Sequence, residues 1–119
     1  MATFAKQTLS ASTDGRGIKV VATATAGTAI HTGSSSASVI DEVWLYAVNT
    51  DSTDRKLTIE WGSTSSPDDL IEFTVPAESG LYLIVPALLI QGNATPLVVR
   101  AFAATANVIV IHGYINRIS

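Results

Sequence analysis

Alternation with a period of two dominates this sequence. Leu57, Ile59 and Trp61 alternate with Thr58 and Glu60, and Ile71, Phe73 and Val75 alternate with Glu72 and Thr74. Successive side chains of a strand point to opposite faces, so each set reads as a half-buried strand. No window of ten or more residues carries a clean 3.6-residue apolar stripe flanked by caps. Thr, Val and Ile are abundant, and β-branched side chains pack well on a pleated surface. The expected class is therefore all-β. The candidate strands are 18–25, 28–32, 38–49, 55–61, 70–75, 80–90, 97–104 and 107–118. Polar and Gly/Pro turns separate them, among them Asn49–Asp54, Ser63–Asp69, Pro76–Gly80 and Gln91–Pro96. Ala26-Gly27 is expected to close a first hairpin, because Gly tolerates positive φ. Eight short strands at this spacing predict a single antiparallel β-sandwich, of jelly-roll or immunoglobulin-like kind, over residues 18–119.

Residues 1–17 lie outside the alternation and read as an extended N-terminal arm. Its apolar anchors are chiefly Phe4 and Leu9, too few for a core of their own. The arm is therefore expected to lie on a neighbouring subunit by backbone pairing. On that expectation, removing residues 2–14 leaves the thermal midpoint of the sandwich almost unchanged and weakens assembly.

Three strands are apolar on both faces, which a sandwich does not require. Val43, Leu45 and Ala47 oppose Trp44, Tyr46 and Val48. Leu81, Leu83 and Val85 oppose Tyr82 and Ile84. Ile109, Ile111 and Ile115 share a face with Gly113 and oppose Val108, Val110, His112 and Tyr114. Either loops and the arm cover the second face, or another subunit does. Aromatic enrichment with few charges is how interface cores look. The candidate interface residues are Phe4, Leu9, Trp44, Tyr46, Tyr82, His112 and Tyr114. A face of about 600 Å² at about 25 cal/mol per Å² represents about 15 kcal/mol of gross hydrophobic gain. The strand His112–Ile118 is expected to be central, since an apolar strand left at a rim invites aggregation.

The chain has 119 residues, 47% of them hydrophobic, 14% charged, with a net charge of −3 and no cysteine. One domain is expected. Without cysteine there is no disulfide framework, thiolate metal site or cysteine nucleophile. Seven Lys and Arg, scattered along the chain, form no basic patch, so no nucleic-acid partner is expected. The N-terminus lacks the apolar core of a secretory signal, and no apolar run is long enough for a membrane helix, so neither export nor a membrane is expected. The chain carries no G-x-S-x-G elbow, Ser-x-x-Lys, P-loop or His-x-x-x-His pair. His31 and His112 read as structural or interface residues, and no catalytic residue, cofactor or metal is expected. Asp41 and Glu42 are strand neighbours and face opposite ways, so they cannot share one proton. Asp51, Asp54, Asp68 and Asp69 lack the Gly and distal Glu of an EF-hand and read as solvated turns. Arg117 falls on the parity of Ile111 and Ile115, so it must reach an edge or pair with a carboxylate.

The segments Gly17–Val21, Thr28–Thr32, Asp41–Asn49, Leu57–Gly62 and Ile111–Arg117, taken together, resemble small virion proteins of tailed bacteriophages. These are β-sandwich proteins of the head or the head–tail region. The resemblance implies a structural role, most directly as a capsid decoration (cement) protein. It implies a homo-oligomer, with a trimer among the options, that contacts a major capsid protein or other virion proteins. The place implied is the virion, assembled in a bacterial cytoplasm. A head–tail or tail minor structural protein is the nearby alternative. A carbohydrate- or receptor-binding module is the alternative from another class.

Overall fold

The computed structural model describes residues 2–119. The fold is an antiparallel β-sandwich with nine strands among the described residues: β1 Phe4–Thr8, β2 Ile18–Lys19, β3 Thr28–Thr32, β4 Ile40–Asn49, β5 Arg55–Trp61, β6 Leu70–Val75, β7 Tyr82–Gln91, β8 Val98–Ala103 and β9 Ile109–Ile118. One sheet runs β1-β9-β4-β7, with β2 also paired to β9. The other runs β3-β8-β5-β6.

Their inward positions form the core, where Val43, Leu45, Ile111 and Ile115 of one sheet meet Ile30, Leu57, Ile59 and Val99 of the other, all at 0% exposure. The alternation read from β5, β6 and β9 is the observed one. Trp61 packs at the margin of the core, on the parity of Leu57 and Ile59. Strand β9 lies inside its sheet, between β4 and the pair β1 and β2. Its ladder with β4 is unbroken over ten residue pairs, from Ile40↔Ile118 to Asn49↔Ile109. Gly113 permits the closest part of that ladder: a Cβ there would run into the Trp44 carbonyl.

Three expectations need correction. The arm contributes a ninth strand, and it lies on this chain's own sheet rather than a neighbour's. Phe4–Thr8 pair with Ile118–Tyr114, and Thr3 and Ser119 extend the ladder with reciprocal backbone bonds. Leu9 then inserts into the core at 1% exposure, so it is not a surface anchor. The chain exposes 6123 Å², against roughly 6,200 Å² expected for a compact monomer of this mass, as a folded-back arm requires.

The second correction concerns residues 18–27. Only Ile18–Lys19 are strand, and Ala26-Gly27 closes no hairpin, because β2 pairs with β9 in one sheet and β3 with β8 in the other. The segment crosses between sheets. Its small residues let it press flat on the four-stranded sheet; a Cβ on Gly27 would overlap the backbone of Ala101.

The third lies in β7. Leu83 and Val85 share a parity in sequence, yet Leu83 sits opposite Tyr46 and Val85 opposite the buried Leu45. Ile84 is an extra residue there, and a second shift falls at Pro86-Ala87. Each inserted residue turns the following side chains to the other face.

Candidate functional site

The outer face of the five-stranded sheet gathers most of the candidate residues. Trp44 and Tyr46 on β4 sit opposite Tyr114 and His112 on β9. Their strand neighbours Val43, Leu45, Ile111 and Ile115 point into the core, so these four must point out. All four remain partly exposed. The Trp44 and Tyr114 rings are nearly parallel, 13° apart with centroids at 6.1 Å. Such an offset pair is favoured by the ring quadrupoles. Lys6 of β1 lies 5.0 Å from the Tyr114 ring centre, a cation–π contact. Phe4, 71% exposed, sits at the rim opposite Ile118.

Glu42 organises the polar part of this face. Its Oε1 accepts from Trp44 Nε1 at 2.8 Å and from Asn116 Nδ2 at 2.9 Å. These two bonds hold its carboxyl below the usual range. Asp41, one residue earlier, is buried on the other side, as alternation requires.

Two candidates fall elsewhere. Leu9 is in the core. Tyr82 sits opposite Ala47 on the inward side and packs at the core margin, its ring 6.1 Å from that of Phe73. In their place the face gains Leu83, opposite Tyr46, and Leu89, opposite Glu42, at 46% and 55% exposure. Simple parity put Leu83 with Val85. Only the register shifts of β7 reveal its outward position.

A second cluster lies between the sheets. Asp41 accepts from Arg117 Nε at 2.8 Å and Nη2 at 2.9 Å, and its Oδ2 lies 2.7 Å from His31 Nε2. His31 Nδ1 accepts from the Ser10 backbone N–H, which leaves Nε2 as the donor to Asp41. Burial pushes the Asp41 carboxyl up, but the bonds from Arg117 and His31 outweigh it and hold the group below its ordinary value. Arg117 is raised in return by Asp41. Arg117 thus meets the carboxylate that its parity demanded. Ser10, His31 and Asp41 have the composition of a hydrolytic triad without its geometry. The Ser10 hydroxyl accepts from Thr32 N–H rather than facing the imidazole, and His31 is 2% exposed with both ring nitrogens engaged. The cluster ties the arm to both sheets.

Glu60 was missed by sequence reasoning. It is fully buried, on the outer side of β5, where it accepts from Gly27 N–H at 2.7 Å and from the Thr25 hydroxyl. Its alternation with Ile59 correctly placed it away from the core. Nothing in the local pattern signalled that residues 22–27 would cover it. Asp51 pairs with Arg55, which together with the Ser52 N–H lowers its carboxyl, and Asp54 accepts from Ala77 N–H.

Compared with protein-family models, curated proteins and solved structures, the chain matches none.

Proposed function

We propose that this chain is a structural protein that works by protein–protein contact, and that the outer face of the five-stranded sheet is its contact surface. The observation that carries the reading is the convergence of Trp44, Tyr46, His112 and Tyr114 on one sheet face, extended by Leu83 and Leu89. Buried against a partner, aromatic anchors on a rigid sheet supply affinity at little cost in side-chain entropy. The resemblance of its segments to virion proteins of tailed bacteriophages supports a role in a phage particle, first as capsid decoration and otherwise in the head–tail region. On this reading the protein is not an enzyme and needs no cofactor. It attaches to a capsid protein or to its own kind in particles assembled in the bacterial cytoplasm.

Co-sedimentation with capsids tests the reading. Wild-type protein pellets with its particle, whereas folded Trp44→Lys stays in the supernatant. Equal pelleting of the two proteins overturns the assignment of this face.

One observation favours carbohydrate binding instead. The partly exposed Trp44 ring, stacked on Tyr114 and flanked by Glu42 and Asn116, puts an aromatic side chain and polar groups side by side, as sugar recognition requires. Saturable quenching of tryptophan fluorescence by oligosaccharides, lost in Trp44→Ala, would replace the assembly reading with this one.

A further inference from the structure

We infer that the occupant of this face is the same face of a second copy of the chain, in a face-to-face dimer whose two-fold axis runs along the β4–β9 ladder. The inference rests on the assembly reading and names its partner.

The ladder supplies the first argument. A two-fold interface must be self-complementary, each residue meeting a partner that meets it in return. An axis parallel to β4 and β9 and midway between them carries every residue over its own cross-strand neighbour. Because the register is unbroken over ten pairs, Trp44 faces the partner's Tyr114, and Tyr46 faces the partner's His112. Each aromatic of the face then meets another aromatic or an imidazole, twice over.

Area supplies the second. The ten-residue strands β4, β7 and β9, at about 3.3 Å per residue and about 4.8 Å spacing, cover about 480 Å², and the five residues of β1 with the two of β2 bring the face to about 600 Å² per copy. Two copies bury about 1,200 Å², where specific interfaces begin.

Charge supplies the third. The face has its cations at one margin, Lys6 on β1 and Lys19 on β2, and its carboxylate Glu42 on β4. Lys6 lies level with Glu42, since both are in register with Asn116. The same axis brings β1 of one copy over β7 of the other, beside Glu42. Lys6 therefore approaches the partner's Glu42, and the pairing recurs by symmetry. Strand β7 carries no charged residue, so nothing repels the incoming arm. Its bulges and Pro86 obstruct edge-to-edge strand addition, which leaves packing of faces as the way to cover its leucines.

Sedimentation equilibrium of the full chain over a wide concentration range is the test, with circular dichroism to show that each variant is folded. Wild type is expected to be a monomer–dimer system that stops at two. Trp44→Lys places like charges near the axis and is expected to weaken the dimer at least about 30-fold, as loss of a central hot spot does. Tyr46→Lys is the second probe should Trp44→Lys fail to fold. Thr74→Lys, on the other sheet, leaves the dimer unchanged. Wild type that stays monomeric at millimolar concentration, species larger than a dimer, or dissociation by Thr74→Lys with none by the face variants overturns the inference. If monomeric wild type still pellets with capsids through Trp44, the assembly reading survives and only the second copy is excluded.

Discussion

The outer face of the four-stranded sheet carries Lys56, Thr58, Glu60, Glu72 and Arg100, and the chain finishes it with its own segments. Lys56 pairs with Glu72 at 2.8 Å. Residues 22–27 lie across β5 and β8: Ala22 O accepts from Ala103 N–H, Gly27 N–H reaches Glu60, and Gly27 O accepts from Arg100 Nη1 at 3.4 Å. Beside the strap lies a shallow hollow of about 120 Å³ between Thr23, Thr58 and Phe102, and Lys56 and Glu72 stay exposed. The outer face of the five-stranded sheet meets the chain's own loop at its margin, where Gly17 lies against Val110 and His112, and its positions are filled by Trp44, Tyr46, Val48, Val110, His112 and Tyr114. Two sheets of one sandwich thus solve the same problem differently. Polar residues and a strap from the chain itself dress one; the other presents its apolar residues outward, and on our proposal a partner covers it. Damage to the closed face and its moorings should cost stability, and damage to the open face should cost assembly.

The largest stability effect is expected from the arm. Deleting residues 2–14 removes the β1–β9 ladder and the buried Leu9. Emptying a buried leucine site alone costs about 2 to 5 kcal/mol, so the thermal midpoint should fall by ten degrees or more, by the usual ~4–8 °C per kcal/mol for a domain near this size. An unchanged midpoint would return the arm to a neighbouring subunit.

Next comes Asp41→Ala, which strands Arg117 and His31. The expected loss is about 3 kcal/mol, at the low end for buried ion pairs because Arg117 keeps partial access to water. The pH dependence has a definite sign. The folded carboxyl lies below its ordinary 3.8, so its contribution is present above about pH 4 and lost as pH falls through the folded value. Denaturant titrations of wild type and Asp41→Ala should converge in that acid range.

A smaller loss, about 2 kcal/mol, is expected for Glu60→Ala, which leaves the Gly27 N–H and Thr25 hydroxyl without their acceptor. Hydrogen exchange should quicken at Gly27 while the dimer constant is unaltered. A weakened dimer would show that the two faces are coupled.

The smallest stability effect, under about 1 kcal/mol, is expected for Trp44→Lys, a substitution on a partly exposed face. Urea denaturation should find it near wild type even where association is lost.

Most strands were legible in the sequence because a strand with one wet face writes its burial as alternation. β5, β6, β8 and β9 fall within one or two residues of their expected bounds, and β9 is interior as its two apolar faces require. Arg117 announced its carboxylate by standing among isoleucines. The failures share a cause as well. Parity is reset by an inserted residue, and nothing local marks Ile84 as inserted, so Leu83 was assigned with Val85. The partner of β1 is more than a hundred residues away, and a five-residue polar segment leaves little trace of a choice between its own β9 and a neighbour's. Ala22–Thr25 looked like strand because its alternation of Ala and Thr suits close packing of any kind, including a strap across a sheet. Of the interface candidates, Phe4, Trp44, Tyr46, His112 and Tyr114 share the open face, and Leu9 and Tyr82 turned inward.

Hydroxyl-radical footprinting tests most directly whether the open face is the contact surface, comparing dilute protein with the concentrated or particle-bound form. Trp44, Tyr46 and Tyr114 are expected to lose reactivity on association, while Phe102, on the outer face of the other sheet, and Trp61, at the core margin, keep theirs. Protection of Phe102 with Trp44 and Tyr114 still labelled would contradict the account.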